Sequence, residues 1–238
     1  LGIKNRETFI FIKKRNMSKY DSLFEKGYYF GDTSEMSFDM DEYNKKCKEI
    51  FTYLDDKEKY FEYFNIAPDL PHRIPYTERE ERLNFLKTKP KIDPFNSANN
   101  LVHTDETRKY MYYFRDQIMK FIPNIYPDLD VNTLTMNPGI QMYQDGDFQQ
   151  AHFDGHIGLC VVILYFSDPS NYNYTGRLEI LESRYSDTVI DKIDPIDGKF
   201  AIFDTVHNNV KHRVEKVTGD FKRFSFLGQI AKLTDVNK

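Results

Sequence analysis

The chain of 238 residues contains no tryptophan and only two cysteines, Cys47 and Cys160. Two thiols close at most one loop, so a disulfide-stapled scaffold is excluded. Both sit in apolar, periodic surroundings and are expected to be buried and reduced. No apolar run approaches the roughly 20 residues that a membrane-crossing helix needs. Positive charge is not in excess either: 33 Lys and Arg against 37 Asp and Glu give a formal charge of −4. That balance offers nucleic acid no overall attraction, so it is not an expected partner. Internal repeats and low-complexity tracts are also lacking, which argues against a repeat architecture.

What is present is ordinary for a soluble globular protein: 40% apolar and 29% charged residues, in a length that can bury a substantial core. The 17 Tyr and 20 Phe suit a core whose polar tips reach a wet cavity. Phe9-Ile10-Phe11-Ile12 is too short for a signal-peptide core and is followed, not preceded, by Lys13-Lys14-Arg15. Residues 1–16 are therefore expected to be a non-core extension. Met17-Ser18-Lys19 reads as an internal start, and 17–238 as a single cytoplasmic domain.

The chain changes character near residue 130. Before it, helical periodicity dominates. Asp39 and Glu42 resemble a capping pair ahead of Tyr43, Cys47, Ile50, Phe51 and Leu54. A charged helix is expected over 77–87. Thr104 should cap another helix with Tyr110, Phe114, Ile118 and Phe121 as its apolar stripe, stopping at Pro123. Segments 68–75 and 89–100, rich in Pro, Asn and Asp, read as loops. After Asp130 come short β-runs at 133–136, 139–143, 158–166, 177–182, 199–203, 212–217 and 223–230, divided by turn residues. The fold class expected is α+β: a double-stranded β-helix, or jelly roll, over 131–231, with the helical part 17–130 packed against it.

His152-Phe153-Asp154 carries the chemistry. Two residues apart on a strand, His152 and Asp154 point to one face. With one distant His, they complete the 2-His-1-carboxylate set that holds Fe(II) and leaves open positions opposite. His212, opening the run His212-Arg213-Val214, is the favoured third ligand. His207 is its rival, within what reads as a turn. His156 reads as a neighbour of the site, and His72 and His103 as surface residues.

The ordered series Tyr143-Gln144-Asp145-Gly146, His152-Phe153-Asp154, Tyr165-Phe166, Thr175-Gly176-Arg177-Leu178, Gly198-Lys199-Phe200, His212-Arg213-Val214 and Arg223-Phe224-Ser225 resembles the iron(II)/2-oxoglutarate dioxygenases. It is most similar to their prolyl 4-hydroxylase-like branch. The resemblance covers 131–231 and implies Fe(II), O2 and 2-oxoglutarate, with ascorbate as an optional reductant. It implies that His152, Asp154 and His212 hold the metal. It also implies that Arg223 pairs with the far carboxylate of 2-oxoglutarate, with Lys222 one register away as the alternative. Tyr143 and Tyr165 match tyrosines that hydrogen-bond the co-substrate, although a half-buried sheet aromatic is the plainer reading of each. Arg177 and Arg184 could touch substrate or merely keep a sheet soluble.

The activity so implied is hydroxylation of an unactivated C–H bond, prolyl in a peptide first, with release of succinate and CO2. A free amino acid or other small metabolite is the alternative substrate. A cupin-like binding protein that has lost chemistry is the alternative class, against which the retained ligand set speaks.

Overall fold

The computed structural model describes residues 19–54, 61–66, 73–75, 80–81, 84, 96–154, 158–166 and 174–233. Residues 1–16, most of the expected helix over 77–87, His72 and His156 lie outside them.

Three longer elements frame the helical side: α1 (Asp21–Lys26), α2 (Met40–Leu54) and α3 (Asp105–Ile125). Asp39 caps α2 as its spacing predicts, its Oδ1 accepting from the amides of Asp41 and Glu42 at 3.0 and 3.1 Å. Thr104 caps α3 through a reciprocal box with Thr107. Tyr110, Phe114, Ile118 and Phe121 are all buried, so the expected stripe is the packed face. The helix passes Pro123, where it was expected to stop, and ends at Ile125. Ile122, Ile125 and Tyr126 are buried there, and this packing holds the last turn although Pro123 gives up one amide donor.

The strands are β1 (Tyr28–Asp32), β2 (Phe61–Ile66), β3 (Arg73–Pro75), β4 (Asn96–Leu101), β5 (Leu134–Tyr143), β6 (Phe148–His152), β7 (Cys160–Phe166), β8 (Leu178–Leu181), β9 (Val189–Ile193), β10 (Lys199–Asp204), β11 (His212–Val214) and β12 (Arg223–Lys232). They pair in the order β1-β10-β7-β12-β5-β4-β6-β11-β8-β9, with β2 and β3 added beside β4, and every described pairing is antiparallel. The order folds into a jelly roll. A larger sheet runs from β1 to β5 and a smaller one from β6 to β9, joined through β4.

Several elements depart from the sequence pattern. The runs at 133–136 and 139–143 form one ten-residue strand through Pro138. Proline is tolerated because β12 pairs one edge of β5 throughout, while β4 pairs the other only at Gln141 and Met142. β4 lies where a loop was expected over 89–100. Its Asn and Ser side chains have little strand preference, and pairing with β2, β5 and β6 imposes the conformation instead. β1, β2, β3 and β9 were not foreseen, β3 falling within the expected loop over 68–75, and the strand at 212–217 stops at Val214.

β7 shows how the layers divide. All seven of its residues are buried. Cys160, Val162, Leu164 and Phe166 pack with the helices, against residues such as Tyr43, Phe114 and Ile118. Val161, Ile163 and Tyr165 face the other way, into a second cluster between the sheets with Phe203, Leu178 and Val214. Helices and larger sheet thus share one core, while the inner faces of the two sheets enclose another. Both cysteines are buried and free, and no helix among the described residues is long and apolar enough to cross a membrane.

Phe114 is fully buried and its ring meets Tyr43, Phe166 and Phe226 at centroid distances of 6.1, 5.4 and 5.5 Å. Phe114→Ala should cost about 3–5 kcal/mol of stability, read as a lower urea midpoint. An unchanged midpoint would show that helix and sheet do not share a core.

Candidate metal centre

The antiparallel ladder between β6 and β11 sets His152 directly opposite His212. Their rings come within 4.3 Å, centroid to centroid. Asp154 lies two residues past the end of β6, not on the strand as its spacing suggested, yet its carboxylate reaches both rings. Oδ1 is 3.7 Å from His152 Nε2 and Oδ2 is 3.7 Å from His212 Nε2. One ligand atom from each of the three residues lies within 4.8 Å of the others.

The backbone sets both imidazoles in the form a metal needs. His152 Nδ1 is 2.9 Å from the Gln150 carbonyl and His212 Nδ1 is 3.1 Å from the Val210 carbonyl. A carbonyl only accepts, so each Nδ1 carries the proton and each Nε2 presents a lone pair to the centre. His212 is further fixed by Phe203, whose ring stacks on it at 4.3 Å and 15°.

Burial pushes the His212 imidazole down to about 4, so it is a neutral donor at physiological pH. Burial by itself would raise the Asp154 carboxyl, but the neighbouring His152 and His212 more than offset this and hold it below its ordinary value. Asp154 Oδ2 is a buried oxygen without a hydrogen-bond donor. A carboxylate oxygen left in that state is costly unless a cation faces it. Two imidazoles whose Nε2 atoms face the centre and one unsatisfied carboxylate fit a borderline divalent ion such as Fe(II).

These residues open into a cavity of about 270 Å³ between the sheets, lined also by Tyr143, Gln149, Phe153, Ile163, Arg223 and Ser225. Arg223 begins β12 opposite Tyr143 and is 1% exposed. Its guanidinium carbon lies 4.7 Å from the Tyr143 ring centre and 5.0 Å from that of Tyr165. It reaches the Tyr165 hydroxyl at 3.4 Å and Ser225 Oγ at 3.5 Å, while its Nε has no partner. Among the described residues no carboxylate forms an ion pair with it. Gly176, at φ +73°, passes close alongside: a Cβ there would stand 3.2 Å from Arg223 Cδ and against Val217. Burial raises the Tyr143 phenol to about 12 and raises Tyr165 as well, with Arg223 opposing both shifts. Both therefore stay neutral.

The other candidates fall elsewhere. Lys222 is half-buried and not part of the cavity wall. His207 is half-exposed, with Nδ1 3.2 Å from buried Asp204. His103 is exposed. Arg177 pairs with Asp194 and Glu215 on the surface. Arg184 lies at the rim, 5.9 Å from the Phe153 ring centre. Sequence reasoning missed Gln141, Gln149 and Gln229 in the cavity wall. Gln149 is three residues from His152, a spacing that predicts opposite faces.

No protein-family profile matches the chain, and no curated protein matches it in sequence. Solved structures do match in fold. A prolyl-4-hydroxylase from Pseudomonas putida is 13% identical, with a TM-score of 0.53 over 90% of this chain and 96% of that one. A prolyl hydroxylase from Trichoplax adhaerens, solved with a peptide fragment of the hypoxia inducible factor oxygen degradation domain, is 14% identical. Its TM-score is 0.54 over 88% of this chain and 86% of that one. A 2OG-Fe(II) oxygenase family oxidoreductase from Burkholderia pseudomallei is 10% identical, at 0.54 over 89% and 88%. The chain shares their fold.

His212 has a folded-state value near 4, below the roughly 6.5 of an unfolded histidine, so the unfolded chain takes up its proton first. Its contribution to stability is whole above about pH 6.5 and is lost as pH falls towards 4. Urea melts in a chelator should show a falling midpoint across that window, and His212→Gln should flatten the fall.

Proposed function

We propose that this protein is an Fe(II)- and 2-oxoglutarate-dependent dioxygenase that hydroxylates an unactivated C–H bond. The observation that carries the reading is Arg223: a buried cation, without a carboxylate partner among the described residues, in the same cavity as the His152, Asp154 and His212 cluster. A buried charge of this kind calls for an anionic guest, and a guanidinium matches a carboxylate with paired donors.

His152, Asp154 and His212 would hold the iron. Iron, when bound, supplies the redox chemistry by which O2 is reduced while 2-oxoglutarate loses CO2 and becomes succinate, the second oxygen atom going to substrate as a hydroxyl. Arg223 anchors the far carboxylate of 2-oxoglutarate, and the Tyr165 hydroxyl and Ser225 hold the guanidinium in place. Tyr143 and Tyr165 cover it and exclude water, which strengthens the ion pair. The fold of the hydroxylases described above supports the same assignment.

Peptidyl substrate, prolyl in the first instance, is the favoured class. Once a co-substrate carboxylate takes Arg223, the described cavity wall offers further substrate mainly uncharged groups: Gln141, Gln149, Gln229 and apolar side chains. A free amino acid would bring an ammonium and a carboxylate with no charged partner there, whereas a peptide segment brings neutral amides. Two buried, reduced thiols fit a cytoplasmic setting.

Anaerobic addition of Fe(II) and 2-oxoglutarate should produce a weak visible charge-transfer band, and aerobic turnover should yield succinate. His152→Ala and Asp154→Ala should each abolish both. Arg223→Ala should weaken 2-oxoglutarate binding about ten- to 150-fold, the equivalent of roughly 1.5–3 kcal/mol for a charge-assisted interaction. Lys222→Ala should leave it unchanged; the reverse result would move the anchor to Lys222. A colourless wild-type protein would defeat the oxygenase reading.

A further inference from the structure

On a regular strand, residues three apart point to opposite faces, so Gln149 and His152 should diverge. They do not. On β11, His212 and Val214 are two residues apart, but their partners on β6, His152 and Gln149, are three apart. The extra residue is a β-bulge, a device that re-aims side chains beside functional sites. It turns Gln149 into the cavity, while the Gln150 carbonyl accepts from His152 Nδ1.

Gln149 Nε2 then lies 3.2 Å from His152 Nε2. Because His152 Nδ1 donates to the Gln150 carbonyl, Nε2 is an acceptor and the Gln149 amide donates to it. That lone pair is also the one a metal would take, and one lone pair cannot serve an N–H donor and a cation together. Resting on the metal-centre reading above, we propose that Gln149 is a positioning residue of that centre. Its carboxamide competes with the metal ion for His152, limits the affinity of the site, and is released into the cavity as a hydrogen-bond donor when the ion binds. Gln229 lines the same cavity without a hydrogen bond to any of the three ligands among the described residues, which makes it the natural control.

Mn(II) titration of the chelator-stripped protein tests this without turnover. Gln149→Leu removes the competitor and should bind Mn(II) about two- to ten-fold more tightly than wild type, the worth of one neutral hydrogen bond. Gln229→Leu should keep wild-type affinity. In the wild-type protein, diamagnetic Zn(II) should shift the side-chain amide resonances of Gln149, a readout that holds even if Gln149→Leu folds poorly. Unchanged or weaker Mn(II) binding in a folded Gln149→Leu protein overturns the proposal. So does an equal gain in Gln229→Leu, or a Gln149 amide that Zn(II) leaves unmoved. Absence of saturable Mn(II) binding by the wild type would overturn the metal centre itself, and is told apart because no variant is needed to see it.

Discussion

Alternate residues of β7 and β12 point at the helices and at the cavity, and both sets are buried along all of β7 and over the first four residues of β12. Period-two alternation leaves no freedom here: a slip of one residue would drive Phe224 and Phe226 into the cavity and Arg223 and Ser225 into the helix interface. The aromatic-rich packing of Phe114, Phe166, Phe224 and Phe226 fixes the register on one side. That register is what delivers Arg223 to the other. The place of Arg223 on the inner face is therefore fixed by hydrophobic packing on the outer one.

Arg223 and Asp154 are the two charges that a purely structural account of the cavity leaves unexplained. Arg223 is buried and Asp154 half-buried, and each keeps a buried atom without a partner, Nε on the first and Oδ2 on the second. Opposite in sign, they do not pair with each other. Such groups cost stability in proportion to how little compensates them, and it is this cost that the proposed metal and co-substrate would relieve. The two imidazoles beside Asp154 and the aromatic faces around the guanidinium lower that cost without cancelling it.

Much of the site was legible from residue type and spacing, because metal ligation needs a particular set of donors and strand geometry converts spacing into direction. His152, Asp154 and His212 converge although Asp154 lies beyond the strand that was expected to carry it. The family resemblance pointed to Arg223 and left Lys222 one register away, and the cavity is lined by Arg223. Less legible was anything imposed by pairing. The Asn96–Leu101 strand has the composition of a loop, and only its partners make it a strand. Gln149 was invisible because a bulge breaks the period that sequence reading relies on. The long strand through Pro138 was split for the same kind of reason: local chemistry forbids it unless one edge is left largely unpaired.

β4 joins the two sheets with very few residues. Its Asn99 and Asn100 pair with β5, and its Asn96 and Ser97 with β6. Buried Asn99 adds a clasp, donating to the Met142 carbonyl and to the Asp147 carboxylate, both at 3.2 Å. The gap between the strand that ends in His152 and the strand opposite Arg223 is thus spanned by a segment from the other half of the chain that contributes no ligand. Substitutions in that seam would widen or narrow the gap between Arg223 and the His152, Asp154 and His212 cluster while each of those side chains stays as it is, a change of shape that no motif would flag.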